Sequence, residues 1–384
     1  MTFEKNYKLH SKEYIFSNNE ILKNKRENIF SKLISKNFDK KNNESLKNIN
    51  ISDLTIFDYH YEPNKNKPTT ILNEKDNYTI NIVNGRCQTY EDNNIKVKNI
   101  SSSDFELFRD QNNVNLEDVV IDFNKIFLNS GIFIKVKKSK KIKLFLLHNT
   151  DQNYTVFQNN FFYFENSSTV EIEEEFKLSK NTINNISHNI KVDRDVLIDY
   201  NIFQNFSNSN KLYLTSNTNC EENSSFKQNT YNFSNGFVRN FHSASLDGKF
   251  SSAFLKGYFF LKDENINSNK TYIIHKAENC ESSQIYKGIL NDSSKANYYS
   301  NTFVSKNAQK TEGYQLSKGI LLSDNCSFFS KPELRIFADD VKCSHGSTIG
   351  PIDKTALFYL RSRGISKKNA MKMIVSSFVE EDLI

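Results

Sequence analysis

Residues 132–146 read IFIKVKKSKKIKLFL. Ile132, Ile134 and Val136 alternate with Phe133, Lys135 and Lys137. After a basic break, Ile142, Leu144 and Leu146 alternate with Lys141, Lys143 and Phe145. Successive side chains of a strand point to opposite faces, so an apolar row of period two predicts two half-buried strands. The same grammar recurs from about residue 115 to about 345. Val170 and Ile172 alternate with Glu171 and Glu173, Leu212 and Leu214 flank Tyr213, and Leu334 and Ile336 alternate with Glu333 and Arg335. No amphipathic stretch of helical length intervenes, which argues against βαβ winding. A sandwich, a propeller or a solenoid remain. Gly (11) and Pro (4) are scarce, which argues against many tight hairpins, and Asn-rich gaps suit solenoid corners because Asn tolerates the left-handed conformation.

Both ends read as helical. At the start, Ser17-Asn18-Asn19-Glu20 has the form of a capping box, and Ile21, Leu22, Ile29, Phe30, Leu33 and Ile34 follow as an apolar stripe with Lys25, Arg26 and Lys32 off it. A polar stretch over 39–48 ends this unit, and 64–70, flanked by Pro63 and containing Pro68, reads as a loop. At the other end, Asp353 caps a helix over 354–363, Gly364 closes it, and Ser366 caps a second helix whose Ala370, Met373, Ile374 and Phe378 share a face.

The charge excludes several roles. Fifty-one basic residues face 45 acidic ones, a net +6, which is a balanced surface rather than the clustered footprint of a nucleic-acid binder. The densest basic run, 135–143, reads as the wet face of strands, against a phosphate-contacting patch. Five cysteines, Cys87, Cys220, Cys280, Cys326 and Cys343, contain no CxxC pair, which suits a reducing compartment. The opening residues offer no apolar segment fit for a signal peptide, and no apolar run approaches the ~18 residues of a membrane span. The expectation is a cytoplasmic protein.

Enzyme signatures for phosphate cradling, zinc proteolysis, the serine nucleophile elbow and dinucleotide binding are absent. The acidic run at Glu171 and 173–175 is the one dense candidate for glycoside chemistry, and it looks like a solvated edge. The dense cluster of reactive side chains is 339–346, DDVKCSHG. On a strand, Cys343 and His345 share a face. If Leu334, Ile336 and Ala338 point inward, then Cys343 and His345 point outward, barring a bulge. Thiolate and imidazole suit iron, copper or zinc, but two ligands make half a site, to be completed by another chain or loop. The alternative is a core cysteine beside a hydrogen-bonded histidine. His148, His188 and His242 read as structural, and His275 as a candidate for a groove.

Residues 331–378, KPELRIFADDVKCSHGSTIGPIDKTALFYLRSRGISKKNAMKMIVSSF, closely resemble the C-terminal signature of the SufB/SufD family of iron–sulfur cluster assembly proteins, on its SufD branch. Val238-Arg239-Asn240, Ser283-Gln284-Ile285-Tyr286-Lys287-Gly288, Ala308-Gln309-Lys310-Thr311 and Leu321-Leu322-Ser323 agree, so the resemblance covers about 235–384. Near the end of the first helical region, where the family often carries a glutamate and a Trp-Lys pair, this chain has Glu44-Ser45-Leu46-Lys47. A SufB-type subunit is the nearest rival. Its counterpart of the Cys-Ser-His stretch is acidic, and it carries a sulfur-accepting cysteine where this chain has Tyr314-Gln315-Leu316.

The resemblance implies a mainly β protein, a right-handed parallel β-helix between helical ends: a partly helical unit over 1–100, the β-helix over 101–346, and a helical unit over 347–384. It implies a non-catalytic scaffold that pairs with a SufB paralogue through the β-helix. It also implies docking of a SufC-type ABC ATPase on the C-terminal helices, through Leu357, Leu360, Arg361, Arg363, Met373 and Phe378. It makes His345, with Cys343 beside it, a contributor to iron or a nascent iron–sulfur cluster held transiently at the SufB interface, with no cofactor tightly bound by the chain alone. A carbohydrate-active β-helix enzyme is the reading from a different class.

Overall fold

The alternating rows build two ten-stranded sheets. The computed structural model describes residues 3–9, 14–35, 71–108, 118–137, 141–206 and 210–380. The polar stretch over 39–48, the loop over 64–70 and the 44–47 segment lie outside them. Successive strands of the chain fall alternately in one sheet and the other, and neighbours within a sheet pair in parallel. Lys143 pairs with Glu171, Glu171 with Asp199, and Asp199 with Lys227, 28 positions apart each time. Two strands and two corners therefore make one coil of a solenoid. Among the described residues, only the first end departs from this: Leu72–Glu74 pairs with Asn77–Val83, Tyr90–Glu91 with Ile95–Asn99, and Ile95–Asn99 with Ile132–Val136, all antiparallel. The sheets thus begin before residue 101, within the stretch read from sequence as a partly helical unit.

Stacking in register makes each inward row continuous. Ile142, Val170 and Ile198 follow one another up one wall, and all are buried. Such burial contributes about 1.5–3 kcal/mol per large aliphatic side chain. Corners carry left-handed residues at Asn153, Asn181, Asp195, Asn223, Asp263, Asn279 and Asp292, as the Asn-rich gaps predicted, and also at Ser167, Phe250 and Lys310. Glycine is used differently. A Cβ at Gly257 would stand 2.2 Å from the Tyr286 ring, so this position is small because a neighbouring coil fills the space.

The interior is not uniformly apolar. Glu174 is fully buried. Its Oε1 lies 2.7 Å from His148 Nε2 and 3.1 Å from His188 Nε2, and its Oε2 accepts from the Tyr200 hydroxyl at 2.6 Å. Burial alone would raise this carboxyl, but the His188 and His148 imidazoles hold it well below the usual carboxylate range. His242 Nδ1 meets Ser216 Oγ at 2.7 Å. His148, His188 and His242 are therefore structural, as read. His275 is not on a groove: it is fully buried, with Nε2 2.8 Å from Ser282 Oγ.

Five α-helices lie among the described residues: α1 (Phe3–Leu9), α2 (Glu20–Ser35), α3 (Val119–Phe127), α4 (Lys354–Ser362) and α5 (Lys367–Glu380). The cap of α2 is Asn19, whose Oδ1 accepts from Leu22 N at 3.1 Å, rather than the expected Ser17. Leu22 and Leu33 are buried, while Ile21 and Ile34 are exposed. Arg26, expected off the apolar stripe, is buried. It lies 4.4 Å and 4.3 Å from the Tyr7 and Tyr14 ring centroids, and its Nε donates to the Ile126 carbonyl at 2.7 Å. That bond ties α2 to α3. In turn α3 is fixed to the solenoid, because its cap Asp118 pairs with buried Arg239 and because Asn124 donates to the carbonyls of Gln158 and Asn185.

The terminal hairpin matches its reading closely. Asp353 Oδ1 accepts from Thr355 N and Ala356 N, Gly364 takes φ +85°, and Ser366 Oγ accepts from Asn369 N. Ala370 is fully buried, and α4 and α5 pack against each other.

Candidate functional site

The last strand of one sheet is Val341–Pro351, paired in parallel with Thr311–Leu321 on one side. Val341, Cys343, His345, Ser347 and Ile349 stand in register with Thr311, Gly313, Gln315, Ser317 and Gly319. Those five partners are buried and form the inward row. Cys343 and His345 therefore share a face, as their spacing predicts, but it is the inner face and not the outer one. The corner over 337–340 separates this strand from Ser327–Ile336 and resets the phase, so parity carried across it gives the wrong side. Among the described residues, no coil lies above the last one. Its inner row opens to solvent, leaving Cys343 half-buried and His345 exposed.

Local packing holds the thiol. Val304, Ala308 and Ala338 form a small buried cluster on which Val341 and Cys343 pack. A Cβ at Gly313 would stand 3.3 Å from Cys343 Sγ and 3.6 Å from Ser282 Oγ, so Gly313 leaves the space into which the sulfur leans. Partial burial raises the Cys343 thiol from its ordinary value, and a hydrogen bond with the Gly313 backbone draws it part of the way back. Cys87, Cys220, Cys280 and Cys326 are buried. Beneath His345, Gln315 is locked: its Nε2 donates to Thr302 Oγ1 at 2.7 Å and to the Glu333 carbonyl at 3.1 Å. Across the opening, the inward row of the other sheet ends in Pro332, Leu334 and Ile336. Among the described residues, no group of three or more His, Cys, Asp or Glu side chains is placed to hold a metal ion. The opening offers one soft and one borderline ligand on a rigid floor.

Two of the segments that carry the resemblance serve this end of the molecule, and a third braces α3 further down the solenoid. In the Ala308-Gln309-Lys310-Thr311 run, Ala308 packs under the corner, Gln309 Oε1 accepts from Asp340 N at 2.9 Å, and Lys310 N donates to the Asp340 carbonyl at 2.6 Å. Arg239 of Val238-Arg239-Asn240 holds α3, and Asn240 reaches across the interior to Gln204 and along its own sheet to Asn269. Lys287, in the SSQIYKG run, reaches the Phe378 carbonyl of α5 at 2.9 Å. The DDVKCSHG segment on the open strand, with these supports behind it, matches the SUF-system SufBD core domain over residues 145–378. The chain belongs to the SufB/SufD family.

The family match begins well before residue 235, in strands where the sequence alone shows only the alternating pattern. Among curated relatives, the iron–sulfur cluster assembly protein SufD of Escherichia coli is 35% identical over 144 residues, 38% of this chain and 34% of that protein. SufD of Plasmodium falciparum is 34% identical over 128 residues, 33% of this chain and 9% of that protein. The chloroplastic protein ABCI7 of Arabidopsis thaliana is 41% identical over 101 residues, 26% of this chain and 21% of that protein. Each match spans about a third or less of the relative's own length.

The rival clusters are accounted for by ion pairs. Lys141 meets Glu171 at 2.7 Å, Lys143 meets Glu173 at 2.6 Å, and Lys135 meets Glu165 at 2.6 Å. The basic run of one coil lies on the acidic run of the next, so neither a phosphate patch nor a pair of catalytic carboxylates is formed there. On the hairpin, Leu357, Leu360 and Phe378 are half-buried, and Arg361, Arg363 and Met373 are exposed. Arg363 lies 5.3 Å from the Tyr359 ring centroid. The sequence reading missed Phe358, 73% exposed, and Tyr359, 57% exposed. Aromatic residues beside the named positions were the available signal. Among the described residues, no helix is long and apolar enough to cross a membrane.

Proposed function

We propose that the chain is a non-catalytic subunit of an iron–sulfur cluster assembly complex, supplying His345 and Cys343 as half of a metal site that a SufB-type paralogue completes. The supporting observation is the position of that pair: two ligand side chains on one face of a strand with a free edge, at an open solenoid end. Iron or the nascent cluster is cargo here, held between subunits. A free β-edge is a ready template for another chain. Beside it, Phe337 is 60% exposed and Ile336 is also exposed, which offers apolar surface to a partner. The solenoid is right-handed in this reading, as parallel crossovers overwhelmingly are. In this reading the β-helix lies between a partly helical first unit and the terminal helical unit that follows the strand Val341–Pro351.

The helical unit docks a SufC-type ABC ATPase. Phe358, Tyr359 and Met373, with Leu357, Leu360, Phe378 and the Arg361/Arg363 pair, form an apolar surface with a basic margin on two short helices that bury little between themselves. The complex is cytoplasmic. Co-expression with the paralogue and the ATPase, followed by anaerobic cluster assay, tests the proposal. A three-subunit complex that forms clusters with wild-type chain, and fails with His345→Ala while staying assembled, is the expected result. Failure of the three chains to co-purify would contradict it.

A further inference from the structure

We propose that Lys287 is a positioning residue. It pins the far end of the terminal hairpin to the solenoid, so that force applied to the hairpin reaches the strand carrying Cys343 and His345. The inference rests on the proposed ATPase docking, but the pin itself is testable without a partner.

The hairpin is attached at two places. At its start, Val341–Pro351 continues into α4 through Ile352 and the cap Asp353, so the site strand and the hairpin are covalently one unit. At its far end, Lys287 of strand Glu281–Leu290 donates from Nζ to the Phe378 carbonyl at 2.9 Å and lies 5.1 Å from the Phe378 ring centroid. Lys287 is on the outward row, between the inward Tyr286 and Gly288, yet is 2% exposed. Removing a lysine head from water is costly unless it is paired. The last carbonyls of a helix lack intrahelical donors and carry partial negative charge, so they are suited to receive it. Phe378 is in that last turn of α5.

The two attachments differ in what they rest on. Glu281–Leu290 is paired on both sides, with Ser252–Leu261 and Thr311–Leu321. Val341–Pro351 is paired on one side only. A hairpin held at its end by an inner strand and joined at its base to an edge strand turns about the inner one and displaces the edge. With Lys287 neutralised, the end of α5 swings and the displacement dissipates in the hairpin.

The test compares Lys287→Met, which keeps the length without the charge, with Lys287→Arg, which keeps a cationic donor. Hydrogen exchange of the full chain should show amides of 372–380 exchanging about tenfold faster or more in Lys287→Met, with the solenoid strands unchanged and Lys287→Arg close to wild type. Unchanged exchange in α5 of Lys287→Met removes the pin. In the assembled complex, Lys287→Met should bind the ATPase as wild type does but lose at least about fivefold in cluster yield, and Lys287→Arg should retain yield. Full yield from a Lys287→Met chain with a loosened α5 overturns the positioning role. If wild-type chain fails to bind the ATPase, the docking reading falls and the positioning role falls with it, while the exchange data still decide the pin.

Discussion

Cys343 stands directly over Gly313 in the paired register of the last two strands of its sheet, and its sulfur leans into the space that Gly313 leaves open. The relationship sets both the exposure of the thiol and its protonation. The other four cysteines are buried, so native protein should show one promptly reacting thiol, lost in Cys343→Ser. Partial burial raises this thiol, so its labelling rate should keep climbing with pH beyond the range of an ordinary cysteine. A disulfide-exchange titration against pH checks both points. Gly313→Val places methyl groups where the sulfur sits, and should speed labelling by displacing the thiol outward.

Acid should destabilise the solenoid in two stages. His242 is held at about 3, first by burial and then by His188, and His275 at about 4 by burial. Both lie below the unfolded value near 6.5, so the unfolded chain binds more protons as pH falls below that value, and stability is lost from about pH 6.5 downward. Glu174, held well below the usual carboxylate range, contributes stability that is complete above about pH 4.5 and is lost as pH falls further. Thermal melts from pH 8 to 4 should decline with that onset, and His242→Asn should flatten the first stage.

Removing Glu174 should cost more than removing any exposed carboxylate. Glu174→Ala removes the partner of the buried His148 ring and of the Tyr200 hydroxyl, and the carboxylate 3.1 Å from His188 Nε2, a loss on the order of 3–5 kcal/mol. Glu171→Ala, which breaks an exposed pair with Lys141, should cost at most about 1 kcal/mol. Denaturant unfolding of the two variants makes the comparison.

Glycine positions give a paired stability test. Gly257→Ala drives a methyl into the Tyr286 ring and should destabilise by about 1–3 kcal/mol. Gly350→Ala meets nothing within 4 Å and should be close to neutral. Equal effects in a denaturant melt would contradict the interior packing described.

The strands were legible because each carries its own period-two signal: Ile132, Ile134 and Val136 need no distant partner to announce an inward row. The caps Asp353 and Gly364 were legible for the same reason, since a cap is a local hydrogen-bonding pattern. What crossed a corner was not. The phase of Cys343 depends on the backbone over 337–340, and no periodicity survives a turn. Arg26 read as solvent-facing because the two tyrosines that enclose it lie on other segments. Lys287 carries no local sign of burial, because the helix end it meets returns onto its strand from some ninety positions later. The Lys143–Glu173 and Lys141–Glu171 pairs needed the coil length to be known before either run could be matched with the other.

The central claim is that His345, on an open inner row beside Cys343, completes a metal site only with a sister subunit. The most direct measurement is anaerobic iron and sulfide content of the purified three-subunit complex carrying His345→Ala, beside wild type. Assembled complex with cluster content reduced to a small fraction of wild type is predicted. Wild-type cluster content in the His345→Ala complex would contradict the claim.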